Sequence, residues 1–344
     1  MVKERVCIVG SGNWGSAVGK IVGNNVLRYK DAFEPEVRQW VFQETYKNEK
    51  LTDIINRTHE NPKYLPGIGL PSNLVAVPDL AEATRDATVL VFVLPHQFVK
   101  QVCDDLSQVP LSQTVKAISL IKGLEINSNG VTLFSEEIAR RLGLQHVAAL
   151  SGANIANEVA EEKFCESTIG CHADDEPMYF KLFDTPYFRV QVIRDHAGVQ
   201  LCGALKNIVA VGAGLSDGLG YGSNTKAAIV RRGLMEMRQF GHTFFGSVVQ
   251  DNTFFESCGI ADLITTCSGG RNRMVSEAFA QTGKSIEELE KTMLNGQKLQ
   301  GTLTAKEVHE FLSARNMVDQ FPLFKTVYRI IYEGASPTCI VTDI

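Results

Sequence analysis

The most restrictive feature of the chain is the join between Arg5-Val6-Cys7-Ile8-Val9 and Gly10-Ser11-Gly12-Asn13-Trp14-Gly15. The first stretch reads as a short buried strand, and Ser16 to about Asn24 carries a helical pattern. A glycine-rich turn at such a join has three demands on it. The first glycine makes the tight turn, the second lets backbone approach a pyrophosphate, and the third lets helix pack on strand. The helix N-terminus then offers its N–H groups to the phosphates. GxGxxG in isolation is also found in ordinary turns. Here it opens a strand–helix–strand rhythm, so dinucleotide binding through Gly10, Ser11, Gly12, Asn13, Trp14 and Gly15 is expected.

The rhythm continues through the first half. Arg38–Gln43 reads as the next strand, and an acid at its end would meet the adenosine ribose hydroxyls. The end reads Phe42-Gln43-Glu44, with Glu44 as the acid and Phe42 able to stack on adenine. No Arg or Lys occupies this tip, which favours NAD over NADP. Leu74–Val77, Thr88–Leu94, Val115–Ile121, Val147–Leu150, Ser167–Cys171 and Phe188–Ile193 are further strand candidates. Thr88–Leu94 is apolar throughout, as a strand covered on both faces should be. It runs into Pro95-His96-Gln97-Phe98 at the carboxyl edge, where ligands bind in such sheets. His96 there reads first as a structural cap and second as a catalytic group. Lys122, after Val115–Ile121, points at the same edge; the plainer reading is a solvated loop charge. The pattern predicts an N-terminal doubly wound, mostly parallel sheet domain of Rossmann type over residues 1–193.

From residue 194 onward the strand signals stop, and residues 194–344 read as an all-helical domain. Val199–Leu215 is small or apolar apart from Lys206 and Asn207, with Leu201, Leu205, Ile208, Val211 and Leu215 at helical spacing. A lysine on a buried helix is either snorkelling to water or held desolvated, where it can exchange a proton near neutral pH. Asp262 and Thr266 are four apart and share a helix face within Phe254–Cys267. Gly269-Gly270-Arg271-Asn272-Arg273 suggests a backbone concavity with a guanidinium, suited to a phosphate dianion. Lys298 and Gln300 sit in the polar loop NGQKLQG.

Composition removes other classes. Of 344 residues 44% are hydrophobic and 21% charged, and the net charge of −5 with no basic run speaks against a nucleic-acid binder. MVKERVCIVG runs directly into a strand, so no secretory signal is expected, and no apolar run reads as a membrane span. The eight cysteines include no CxxC pair and several lie in apolar runs, as reduced thiols of a cytosolic protein would. The seven histidines show no metal-ligand spacing.

Several long strings resemble, in order and across nearly the whole chain, the cytosolic NAD-dependent glycerol-3-phosphate dehydrogenases: VCIVGSGNWGSAV, HENPKYLPG, SLIKG, GANIANEVA, CGALKNIVAVGAG, ESCGIADLITTC, GGRNR and LNGQKLQG. The resemblance implies interconversion of dihydroxyacetone phosphate, a small phosphate ester, and sn-glycerol 3-phosphate, with NAD as cofactor, in a cytoplasmic homodimer. It implies NAD contacts at Gly10 to Gly15, Phe42, Phe98, Ala156 and Arg271. Lys206 would be the proton donor and acceptor, with Lys122, Asn207, Asp262 and Thr266 around the reacting centre. Lys122, Arg271 and Asn272 would bind substrate, the last two at its phosphate. Lys298 and Gln300 would lie on a loop closing over the cofactor. The chain departs from the family pattern at Ser223, Ser268 and Arg232, where aspartate, tyrosine and leucine stand in the family. Two other readings fit the same features: a related dehydrogenase of a hydroxyacid or sugar acid, and a slow NAD-binding regulatory protein.

Overall fold

The computed structural model describes residues 2–112, 114–127 and 130–344. They form two compact units: the chain up to Lys122 with Phe134–His196, and Gly123–Leu133 with Ala197–Ile344.

The first unit is built on eight strands: β1 (Val6–Val9), β2 (Val37–Trp40), β3 (Leu74–Val77), β4 (Val89–Phe92), β5 (Lys116–Ser119), β6 (Val147–Gly152), β7 (Cys165–Gly170) and β8 (Phe188–Ile193). Their order across the sheet is β8-β7-β6-β5-β4-β1-β2-β3. All neighbouring pairs are parallel except β6 with β7. Period-two side chains explain the two-sided burial. Val6 and Ile8 enter one apolar cluster, with Val18, Ile21 and Val22 of the helix Asn13–Arg28. Cys7 and Val9 enter the other, with Val99, Val102 and Leu106 of the helix Val99–Leu106. A sheet apolar on both faces needs helices on both, and the strand–helix alternation supplies them. From β1 the chain goes to β2 and β3 on one side and later to β4 to β6 on the other. The strand order therefore reverses between β1 and β4, and a crevice opens at their carboxyl ends.

The second unit is organised around the helix His196–Gly218, buried along nearly its whole length. By length and composition it is the one helix among the described residues able to cross a bilayer, but 94% of its apolar window is buried inside the protein. Its small residues admit neighbouring backbone. A Cβ on Gly214 would stand 2.2 Å from the Arg273 carbonyl oxygen, and one on Gly218 2.5 Å from that of Glu277. Gly233 of the helix Ser223–Phe245 meets Val209 equally closely. The unit also carries a hairpin, Leu124–Asn127 with Gly130–Leu133, which lies on the helix Gln300–Ser313 with Leu124 and Ile126 buried.

Two segments differ from the sequence reading. Phe254–Cys267 is not one helix but a 3-10 turn (Asp251–Phe255), a π turn (Ser257–Ala261) and an α-helix (Asp262–Ser268). The chain is extended at Glu256 between the first two turns, and Gly259, lacking a Cβ that would stand 2.3 Å from the Phe254 carbonyl oxygen, permits the close return. The Gly270-Arg271-Asn272 stretch, expected as part of a backbone concavity, is helical. It begins the helix Gly270–Thr282, with Gly269 extended as its cap and Gly270 in the left-handed region at φ +83°.

Candidate functional site

In the sheet unit the site begins where β1 ends. Gly10 has φ +124°, and a Cβ there would lie 2.1 Å from the Val93 carbonyl oxygen. A Cβ on Gly15 would meet the Gly10 carbonyl oxygen at 2.7 Å. The buried Gln39 amide donates to both the Gly10 and Gly15 carbonyls, at 2.9 and 3.0 Å, and clamps the turn on β2. Gly12 caps the helix Asn13–Arg28 without any side-chain cap, and nothing stands within 4 Å of where its Cβ would be. The first turn thus presents a bare backbone cradle at a helix N-terminus, which fits a pyrophosphate.

Beside the cradle is a cavity of about 440 Å³ lined by Gly10, Ser11, Gly12, Phe42, Phe98 and the carboxylates Glu44 and Asp105, among others. Phe42 and Phe98, 67% and 51% exposed, offer this cavity aromatic surface on which an adenine could stack. The remaining residues expected at the cofactor have other partners. The Asn13 amide donates to the Tyr64 carbonyl (2.7 Å) and to Asn157 Oδ1 (2.8 Å). Trp14 packs on Phe188, ring centroids 6.3 Å apart, and Ala156 packs with Ala17, Leu65 and Ala160. Lys122 reaches the Gly152 carbonyl at 3.2 Å. His96 stacks on Phe134 at 5.9 Å, and burial lowers its pKa below the usual 6.5.

The tip of β2 holds a surprise. The sequence places no base at Phe42–Glu44, but the fold brings Lys63 onto the Glu44 carboxylate. The Tyr64 hydroxyl donates to the same carboxylate, at 2.8 and 3.1 Å to its two oxygens. The string HENPKYLPG carried this information only as a match, because nothing in its spacing says where it folds.

In the helical unit the Lys206 ammonium pairs with the Asp262 carboxylate, the residues being 5% and 3% exposed. The Thr266 hydroxyl donates to the Asp262 carbonyl at 2.6 Å, so it secures the turn that carries the acid. Next to Lys206, the Asn207 amide donates back to Gly203 and Ala204 carbonyls (3.4 and 3.2 Å). Its oxygen accepts from Asn272 (2.9 Å), whose own oxygen accepts the Gly301 N–H (2.8 Å). Gly301 fits because it has no Cβ, which would lie 2.5 Å from the Asn207 carbonyl oxygen. Lys206, Asp262 and Thr266 thus form one group and Asn207, Asn272 and Gly301 another, the two joined through the neighbouring residues Lys206 and Asn207 of one helix. Arg271, exposed at the start of its helix, donates to Gln297 Oε1 at 2.7 Å. Lys298 is tied to the buried Glu290 at 2.8 Å, and that carboxylate also accepts the Leu299 N–H. Glu290 and Gln297 were not foreseen from the sequence. Gln300 opens the following helix and bonds Thr304.

Residues 5–176 match the family described as NAD-dependent glycerol-3-phosphate dehydrogenase N-terminus, and residues 195–342 its C-terminus counterpart. The chain belongs to the NAD-dependent glycerol-3-phosphate dehydrogenase family. It is 57% identical over 335 residues to the mouse protein named cytoplasmic glycerol-3-phosphate dehydrogenase [NAD(+)], covering 97% of this chain and 95% of that one. Identity to the human protein of the same name is 56% over the same lengths. Among solved structures, the glycerol-3-phosphate dehydrogenase of Saccharomyces cerevisiae is 47% identical with a TM-score of 0.95, covering 98% of each chain. That of Plasmodium falciparum is 41% identical with the same score, covering 99% of this chain and 95% of its own. The chain is an oxidoreductase of this family, and its cofactor is NAD. A 2-dehydropantoate 2-reductase at 12% identity shares only the fold.

Proposed function

We propose that the chain interconverts dihydroxyacetone phosphate and sn-glycerol 3-phosphate with Lys206 as the proton donor and acceptor. The observation carrying this is the buried Lys206–Asp262 pair set beside the Asn207–Asn272–Gly301 chain. The glycine cradle and its cavity hold the cofactor, which supplies the reducing equivalents for the ketone carbon when bound. As that carbon is reduced, negative charge develops on its oxygen. Lys206, kept as ammonium by Asp262, gives that oxygen its proton; in the reverse direction it removes the alcohol proton. The Asn207 amide fixes the helix turn that carries Lys206 and adds a dipole next to it. Thr266 holds Asp262 in place. Arg271 grips the substrate phosphate, a forked guanidinium being suited to a dianion. Asn272 works by fixing Asn207 and the start of the Gln300–Ser313 helix. Lys122 is assigned to the substrate by the family likeness alone, and Lys298 and Gln300 to the cofactor.

The test is NADH oxidation with dihydroxyacetone phosphate in the full chain and in Lys206→Ala. The variant is expected to lose about 10²- to 10⁴-fold in kcat, the range for a general acid, while retaining NADH binding, because the cradle belongs to the other unit. Near-normal kcat would move the proton transfer to another group. Two further readings are proposed: a cytoplasmic location, in keeping with the relatives' names, and a homodimer, which rests on the family resemblance of the sequence alone. Sedimentation at micromolar concentration and imaging of a tagged chain test these.

A further inference from the structure

The tip of β2 carries more than its sequence suggests. Glu44 is fastened from several directions. Its backbone carbonyl accepts the Leu51 N–H at 2.9 Å, its carboxylate accepts the Tyr64 hydroxyl, and Lys63 pairs with one of its oxygens. The turn bearing Lys63 and Tyr64 is itself bolted to the glycine loop. The Asn61 amide donates to the Ser11 carbonyl and to Ser16 Oγ, each at 2.9 Å, and Asn13 donates to the Tyr64 carbonyl. Glu44 and Tyr64 line the cavity; Lys63 is not among its lining residues. The ammonium therefore pairs with a cavity-lining carboxylate without itself lining the cavity. It also lies over the Tyr64 ring, 5.1 Å from the centroid, a second contact that does not depend on Glu44.

With Glu44 as the ribose-side acid that the sequence already indicates, we propose that Lys63 is a masked phosphate-binding cation, held out of use by its pairing with Glu44. The proposal rests on the reading of this cavity as the adenosine side of the cofactor site. A ribose 2′-hydroxyl can donate to the Glu44 carboxylate. A 2′-phosphate dianion would instead meet a carboxylate that already occupies the nearest cation, in a cavity that Asp105 also lines. Like charges brought together in this way are a device for rejecting a partner. The cation that could answer a phosphate is already present, neutralised by the acid it pairs with. Selectivity is therefore stored in one carboxylate rather than in the absence of a base.

Removing that charge should unmask the site. The full-length protein, Glu44→Gln, Lys63→Met and the double variant would be titrated calorimetrically with ADP and with 2′,5′-ADP. The readout is the ratio of the two affinities. In Glu44→Gln the ratio is expected to shift toward 2′,5′-ADP by roughly 10- to 100-fold, the size expected for relieving a close like-charge contact. ADP itself should weaken as its ribose loses a charged acceptor. The double variant should forfeit the shift, and Lys63→Met alone should move the ratio further toward ADP. An unshifted ratio in Glu44→Gln, or a shift that survives in the double variant, overturns the proposal. If Glu44→Gln does not fold, a ratio in Lys63→Met that is unmoved or shifted toward 2′,5′-ADP overturns it. Should the unaltered chain bind neither ADP nor NADH, it is the cofactor reading of the cavity that fails.

Discussion

The buried Lys206–Asp262 pair joins chemistry to stability. Two opposite charges taken out of water nearly cancel, but either one left behind is costly. Asp262→Asn leaves an ammonium in an apolar setting, and breaking such a pair typically costs about 3–5 kcal/mol. A lowered thermal midpoint together with a fall in kcat is expected; a variant as stable and active as the parent would show that the pair is incidental. Arg271 asks a different question. It is exposed and bonded to Gln297, so its removal leaves the fold largely untouched. Removing one member of a desolvated charge pair costs roughly 2–5 kcal/mol, or about 30- to several-thousand-fold in kcat/KM. Arg271→Ala should lose that much with dihydroxyacetone phosphate and far less with unphosphorylated glyceraldehyde, since remote binding energy acts only on a substrate that carries the phosphate. Equal losses on both substrates would take Arg271 off the phosphate.

At the scale of elements, the β1–helix turn works by what its glycines omit. Gly10 combines a left-handed φ with a carbonyl oxygen 2.1 Å from where a Cβ would stand, so Gly10→Ala meets strain and overlap at once. Backbone strain of this kind costs on the order of 1–3 kcal/mol before the overlap is counted. Displacing the turn also moves the N–H groups of the cradle, so NADH affinity should fall along with the thermal midpoint. Fluorescence titration of NADH and thermal unfolding of the same variant check both. Gly12→Ala, with open space around its Cβ, should keep the stability, which separates folding from binding within one loop.

Across the whole molecule, stability should carry a pH signature from Glu236. This glutamate is buried on the helix Ser223–Phe245, and its oxygens accept the Leu323 and Phe324 N–H groups at 2.7 and 3.0 Å, capping the helix Pro322–Tyr332. Burial outweighs those bonds and nearby Arg232 and pushes its pKa up to about 7. The folded protein therefore holds a proton that the unfolded chain releases near pH 4.5. The contribution is fully present below about pH 4.5 and is lost as pH rises to about 7, a change on the order of 3 kcal/mol. His196 and His309, which burial pulls below 6.5, tilt the curve the other way. The measurement is therefore the difference between the parent and Glu236→Gln in unfolding free energy from pH 4.5 to 8. A difference that does not vary with pH would show that Glu236 is ionised throughout.

What was legible in the chain was local. The glycine spacing after β1, the two-sided apolar strands and the small-residue helix around Lys206 are patterns within a few turns, where sterics and burial act directly on neighbours. These gave the sheet, the crevice at its carboxyl edge and the buried lysine. What the tertiary structure decided was which distant groups share a dielectric environment. Asn272 bonds Asn207 across 65 residues, and Asp262, at the start of the helix after the π turn, pairs with Lys206 of a different helix. Lys63 neutralises Glu44 from a separate turn, so the rule that a bare strand tip means no base held in the sequence and failed in space. Spacing along a chain encodes helix faces and strand alternation; it does not encode which charge will pair with another once the chain has folded.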